Sequence, residues 1–567
     1  MKQREVDLLV IGAGAGGMSA ALAGAILGME VLVCEKSDQV GGTAATSAGT
    51  IWIPENRQSI EAGFPDTRAA ARNYMNALIR EPEKGTDLRE TYLEEGPRIV
   101  DWFAEHSDVR WVPCGMHPDY KDETGAATTG RALSPAEFDG RVLGDAFRDV
   151  RAPIPEFLVF GGMMVGKADV PKLVGRFESF GNFMHAVKLF LRFLTDRLRH
   201  PRGTRLVMGN AFVARLYHSL RQKEVPVLFN SALQELVAEG RRVVGAHVNI
   251  NGQRELIRAR KGVVLATGGY AHHPEFRRTF MPQPTPVESM AVPSNQGDGI
   301  AAATRIGAIT AAENHGSGAF WTPVSRTALG GSGQWGGLFP HLSLDRAKPG
   351  LIAVNSAGKR FVNEAVSYHH FVEAMFESHK TVPTIPAWLV CEADFVRKYG
   401  LGVIHPGTTN LTPHLREGEF VMAESIGALA RKMGVDAEGL VATVQRHNLF
   451  ADTGIDTDFG KGTTELNRFN GDPLHKPNPC IGALRKGPFC AMAVRPAEIA
   501  CSTGLETDSY ARVLDAERAP IAGLYACGND LASIMRGTYP GPGTTLGPAL
   551  VFGYRAAQHA ATEGVER

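Results

Sequence analysis

The sequence predicts an α/β protein: a Rossmann-like dinucleotide-binding domain, discontinuous along the chain, with an α+β domain inserted into it. Three observations carry this prediction. The chain opens with strand, glycine turn, helix, strand and acid in one register. Two further buried strands end in glycine turns, at Val263–Gly269 and Leu524–Asn529. Between them, residues 286–484 change character, so the expected divisions are 1–285, 286–484 and 485–567.

The opening unit is the most specific. Residues 6–11 form an apolar run that reads as a buried strand. Gly12-Ala13-Gly14-Ala15-Gly16-Gly17 follows, then a small-residue helix over 18–27 and a second strand over 30–34. Glu35 stands 18 residues after Gly17. In this pattern Gly12 makes the tight turn and Gly14 admits a pyrophosphate. Gly17 lets the helix pack on the strand, and Glu35 holds a ribose. The run Gly41-Gly42-Thr43-Ala44-Ala45-Thr46-Ser47-Ala48-Gly49 then has the composition of a loop pressed against a cofactor. With no second nucleotide fingerprint in the chain, it points to FAD over NAD(P). Residues 225–237 and 243–250 read as further strands of this domain, and 421–433 and 436–449 as scaffold helices.

Near the C-terminus, Gly537-Thr538-Tyr539-Pro540-Gly541-Pro542-Gly543 is a stiff turn. Apolar or small residues at 546, 549, 550, 553, 557 and 560 make the following segment a helix, which Thr544 or Thr545 can cap. Two readings are open: a capped helix with a surface tyrosine, or backbone N–H groups and one phenol gripping a carbonyl that gains negative charge.

Composition sets outer bounds. The 567 residues suffice for two or more domains. Lys+Arg and Asp+Glu both number 60, which gives no support for nucleic acid as a partner. Glycine, at 64 residues, exceeds the usual roughly 7% and implies tight turns and close approaches to a ligand. The seven cysteines include no Cys-x-x-Cys pair, so neither a metal site nor a disulfide framework is expected. The start leads into a strand and not a signal peptide, and no run is long enough to span a bilayer. A cytoplasmic setting fits. One stretch, 184–202, mixes Val187, Leu189, Phe190, Leu191, Phe193, Leu194 and Leu198 with Lys188, Arg192, Arg197, Arg199 and Arg202. It reads either as a helix on the inner membrane surface or as a lid that buries its apolar face.

The motifs at 12–17, 35, 41–49, 295–299, 358–364 and 537–549 together resemble the flavoprotein superfamily of fumarate reductase and the 3-ketosteroid dehydrogenases. Thr538–Gly543 is similar to the mark of the 3-ketosteroid Δ1-dehydrogenases. The resemblance implies an enzyme that inserts a double bond between C1 and C2 of a 3-oxosteroid, the hydride passing from C1 to flavin N5. Tyr539 and the Gly543 N–H match the pair holding the 3-keto oxygen. Tyr368 matches the base for the C2 proton, and Tyr120 a second tyrosine that hydrogen-bonds the base. The cofactor would be non-covalent FAD, held by Gly12, Gly14, Gly16, Gly17, Glu35, Lys36, Gly41, Gly42, Thr43, Ser47, Ala48 and Gly49 on the first part of the chain. Ala232, Leu233, Ala266, Thr267, Gly268, Asp298, Gly528, Asn529, Thr545 and Leu546 complete the set. No role is implied for His315, His369 or His370. The partners implied are a 3-ketosteroid and an external electron acceptor such as a quinone.

Three alternatives stand beside this. A dicarboxylate reductase would carry a His-Thr motif where this chain has Ala500-Cys501-Ser502-Thr503-Gly504-Leu505, and covalent flavin would need a histidine in 41–49. A 4,5-dehydrogenase of 3-oxosteroids would share fold and ketone chemistry. A flavin- or sterol-binding protein would bind without turnover. The insert at 126–204 is longer than the family core needs and suits a pocket for a long-tailed sterol ketone.

Overall fold

The computed structural model describes residues 3–166, 169–311, 318–327, 337–342 and 345–562. Its central sheet has eight strands. Four of them, Val31–Cys34, Gln3–Ile11, Gln253–Leu265 and Pro520–Ala526, lie side by side and parallel. Leu8, Leu9, Val10, Val263, Val264 and Leu265 are fully buried. The last of these strands comes from the end of the chain, so both ends of the sequence build one sheet. Helices Ala15–Ile26 and Leu546–Thr562 pack together through small residues. A Cβ at Gly553 would lie 2.7 Å from the Gly16 carbonyl oxygen. Both helices begin at the carboxyl ends of the parallel strands, where α/β sheets bind ligands.

A second, six-stranded antiparallel sheet holds Ala319–Thr327, Leu351–Val354, Ala387–Glu392, Phe420–Ala423 and Phe489–Cys501, with Gly337–Pro340 at its edge. Two expectations change here. The strand Phe489–Cys501 carries this sheet well past residue 484. The helix expected from 421 starts at Ile426, because Phe420–Ala423 pairs with Phe489–Met492 as a strand. Four apolar residues in a row fit either state, and the sheet partner decides.

A small third sheet holds Ile51–Trp52, Ala132–Pro135 and Trp111–Pro113. It therefore takes residues 132–135 out of the presumed insert. Within 155–166 and 169–200, the helix Phe180–Arg197 forms a cluster of its own with Met163, Leu189 and Phe193, apart from the main core.

Candidate active site

The turn at 537–543 is shaped by what surrounds each glycine. Gly543 has φ +98°, and a Cβ there would sit 2.4 Å from the Ile51 carbonyl carbon. A Cβ at Gly541 would meet the Trp52 ring at 2.6 Å. The turn thus lies flat on Ile51-Trp52, and only glycine fits. The Gly543 carbonyl accepts from Trp52 N–H (3.3 Å) and Gly547 N–H (3.2 Å). Its own N–H has no hydrogen-bond partner among the described residues, and Gly543 lines the cavity. The Thr544 hydroxyl donates to the Gly541 carbonyl at 2.7 Å, so it braces the turn where the sequence suggested a helix cap.

Tyr539 meets two other tyrosines there. The Tyr120 hydroxyl donates to Tyr368 at 3.2 Å, and the Tyr368 hydroxyl to Tyr539 at 3.0 Å. The Tyr120 and Tyr539 rings stack at 5.6 Å, with Tyr368 edge-on to both. Tyr368 is the first residue of the helix Tyr368–His379, which Ser367 caps. Tyr120 is fixed by its backbone: its N–H donates to the Pro540 carbonyl at 2.8 Å, as does the Tyr74 hydroxyl. Asp119 beside it accepts from Trp52 Nε1 (2.8 Å) and Arg131 (2.7 Å), all buried. Burial pushes the phenols of Tyr120, Tyr368 and Tyr539 well above the usual tyrosine range, and for Tyr368 the neighbouring Tyr120 adds to this.

Tyr120, Tyr368, Tyr539 and Gly543 line a cavity of about 930 Å³ that runs on into the glycine-rich turns of the first sheet. Its wall is mostly apolar, with Ile154, Phe157, Pro340, Leu342 and Phe469, among which stand His117, Lys348 and Asn470.

The other end fits a dinucleotide. Gly12 has φ +105°, and a Cβ there would lie 2.2 Å from the Ala266 carbonyl oxygen. A Cβ at Gly17 would collide with the Gly12 carbonyl at 1.9 Å, so Gly17 packs helix on strand and does not line the cavity. At Gly14 a Cβ would meet nothing within 4 Å: the backbone is open to the cavity just before the helix. The first-turn N–H groups and the dipole of that helix suit a pyrophosphate. Glu35 Oε2 accepts from Ala13 N–H at 2.8 Å and Oε1 from the Ser37 N–H and hydroxyl, which aims the carboxylate along the wall. Gly16, Lys36, Gly41, Gly42, Thr43, Ser47, Ala48, Gly49, Leu233, Ala266, Thr267, Gly268, Asp298, Gly528, Asn529, Thr545 and Leu546 also line the cavity. Ala232 does not; in its strand the neighbouring Leu233 lines the wall instead.

Several supports escaped the sequence reading. Asp530 accepts from Thr267 N–H, the Thr267 hydroxyl and Gly269 N–H, fixing one glycine turn to another. Asn295 bridges the Thr43 hydroxyl and the Gly268 carbonyl. His369 accepts from Trp321 N–H and donates to the Gly537 carbonyl, so it ties the turn to the Tyr368 helix. His370 bonds only locally, to Ser367, and His315 lies outside the described residues. Among the described residues no group of His, Cys, Asp and Glu is placed to hold a metal.

The family described as FAD binding domain matches residues 7–546. A 3-oxosteroid 1-dehydrogenase of Mycolicibacterium smegmatis is 35% identical over 98% of this chain and 97% of its own. The chain belongs to the 3-oxosteroid 1-dehydrogenase family of FAD flavoproteins. Within that family, the crystal structure of the 3-ketosteroid Δ1-dehydrogenase from Sterolibacterium denitrificans in complex with 1,4-androstadiene-3,17-dione superposes with a TM-score of 0.90. The two share 36% identity, covering 99% of this chain and 100% of that one. A 4-oxocyclohex-2-ene-1-carboxylate 5-dehydrogenase of Sinomonas cyclohexanicum is 34% identical over 98% of this chain and 93% of its own. FAD is therefore the cofactor, as the glycine loops and Glu35 suggest.

Proposed function

We propose that the chain is an FAD-dependent 3-oxosteroid 1-dehydrogenase that forms the 1,2 double bond with Tyr368 as the base. The single observation that carries the reading is the meeting of three phenol oxygens, 3.0 and 3.2 Å apart, beside the open Gly543 N–H in the FAD cavity. Tyr539 and Gly543 hold the 3-keto oxygen, and negative charge gathers there as the C2 proton leaves. Two donors aimed at that oxygen stabilise it. Tyr368 takes the proton. A phenol of pKa about 10 is a weak base near neutrality. Its hydroxyl neighbour offsets this: Tyr120 donates its O–H to Tyr368 at 3.2 Å and can keep that bond once Tyr368 is ionised, while the Tyr539 O–H stays on the ketone. Bound FAD supplies the acceptor for the hydride that leaves C1. The apolar wall favours a fused-ring ketone over a monocyclic carboxylate.

On this reading residues 1–285 and 485–567 hold the nucleotide and also supply Tyr120, Tyr539 and Gly543, while 286–484 supplies Tyr368 and part of the steroid wall. Androst-4-ene-3,17-dione should yield a product two hydrogens lighter with unsaturation at C1–C2. A 5α-reduced 3-ketone converted to the 4-ene instead would overturn this in favour of 4,5-dehydrogenation.

We also propose that the helix Phe180–Arg197 rests on a lipid surface. No helix among the described residues is long and apolar enough to cross a membrane. Yet Phe177, Phe180, Leu191 and Leu198 are 79%, 78%, 55% and 83% exposed. Lys188, Arg197 and Arg199 are exposed beside them, whereas Arg192 reaches Asp139 and Arg202 covers the Phe147 ring. Apolar rings edged by cations match an anionic bilayer surface. Reversing Lys188, Arg197 and Arg199 to Glu should abolish co-sedimentation with vesicles containing phosphatidylglycerol; unchanged binding refutes the contact.

A further inference from the structure

We infer that Arg346 supplies the positive charge that stabilises ionised Tyr368, as a positioning residue acting through that tyrosine from behind the substrate cavity. The inference rests on the reading of Tyr368 as the base.

Arg346 is 1% exposed, and its guanidinium bonds are unusual. Nε donates to the His341 carbonyl (2.9 Å), Nη1 to those of Glu364 (2.8 Å) and Val366 (3.2 Å), and Nη2 to that of Leu342 (2.8 Å). Among the described residues no carboxylate accepts from the guanidinium; the Asp345 carboxylate takes the Arg346 backbone N–H (2.8 Å), and the guanidinium lies over the Phe371 ring, 4.8 Å from its centre. A buried cation without a hydrogen-bonded counter-ion is costly. Glu364 and Val366 lead directly into Tyr368, so the bonds fix the cation relative to the base. A small cavity of about 20 Å³ is lined by Arg346, Tyr120 and Tyr368, with room for about one water. Arg346 and the tyrosine pair thus share one small cavity on the side away from the turn at 537–543. Its charge pulls the Tyr368 phenol down, against the larger effect of burial.

The other ionisable groups near Tyr368 are already engaged. Glu364 is held by Arg360 (2.7 Å) and Lys461 (3.2 Å), which leaves it balanced by their charge. Asp345 bonds His341 at 2.6 Å and is held down to about 2, chiefly by His341 against the effect of burial. His369 pairs with Glu373 at 3.4 Å, and burial keeps His370 well below the usual histidine range. His117 and Lys121 flank Tyr120, with His117 Nδ1 against the Pro118 carbonyl.

The test uses two substitutions of opposite electrostatic sign in the FAD-loaded full chain, with kcat/KM for androst-4-ene-3,17-dione measured across pH. Arg346→Met removes the cation. Its ascending limb should move up by about one pH unit or more, with a drop of about tenfold or more below that limb and little change in KM. Asp345→Asn leaves the four carbonyl bonds of Arg346 in place and removes an opposing negative charge, so its limb should move to lower pH. A purely structural lesion would lower both rates and move neither limb. The inference falls if the Asp345→Asn limb stays in place or moves upward, or if the Arg346→Met limb does not rise. Should Arg346→Met fail to retain FAD, Asp345→Asn decides alone by the same criterion. Tyr368→Phe is run in parallel: a near-normal rate there overturns the base assignment itself, whereas unmoved limbs with an inactive Tyr368→Phe overturn only the role of Arg346.

Discussion

The two ends of the cavity are built in opposite ways. The nucleotide end is organised on one local unit, with Gly12, Gly14, Gly17 and Glu35 inside a single strand–helix–strand, to which the turns at 41–49, 266–268 and 528–529 are added. The ketone end joins Tyr120, Tyr368 and Tyr539, brought together from three distant segments onto one point. At Gly12 and Gly17 the nucleotide end rests on backbone that tolerates no side chain. The ketone end rests on hydroxyl groups that tolerate loss of an oxygen with the fold intact. Substitutions at the first should therefore remove the cofactor, and at the second should remove chemistry alone.

The largest effect is expected at Gly12→Ala. With φ +105° and backbone 2.2 Å from the new Cβ, the turn must open, and the purified protein should carry little FAD by flavin absorbance. A full complement would show that the local end is softer than the geometry implies. Next comes Tyr368→Phe, which should cost about 10²–10⁴-fold in kcat, the range for a general base, with FAD content unchanged. Tyr539→Phe should follow at about 10²–10³-fold, as for an oxyanion donor. Tyr120→Phe removes one hydrogen bond to the base and should cost about tenfold. Stopped-flow reduction with androst-4-ene-3,17-dione ranks these three. An order with Tyr120 above Tyr368 would move the base to the other tyrosine.

The same contrast governs what could be read from sequence. The first strand, glycine turn, helix and acid were legible because their spacing is set by one local geometry. The tyrosines were legible only through the turn motif and its resemblance, since nothing in the spacing of 120, 368 and 539 says that they meet. Supports made by single long-range contacts were not legible. Asp119 looks like a loop acid until Arg131 and Trp52 are seen on it. Arg346 carries no motif at all; its partners are carbonyl oxygens, which every residue has. Of the two caps the sequence offers, Thr544 or Thr545, Thr544 turns its hydroxyl back to the Gly541 carbonyl, a contact that spacing alone does not reveal.

The most direct test of the account is anaerobic mixing of the FAD-loaded protein with androst-4-ene-3,17-dione. Flavin absorbance is followed and the product identified by mass, for the native chain and Tyr368→Phe side by side. The account predicts rapid bleaching and a 1,4-diene from the native chain, and bound steroid with an unbleached flavin from Tyr368→Phe. Bound steroid with an unchanged spectrum in the native chain, or bleaching of Tyr368→Phe at the native rate, would contradict it.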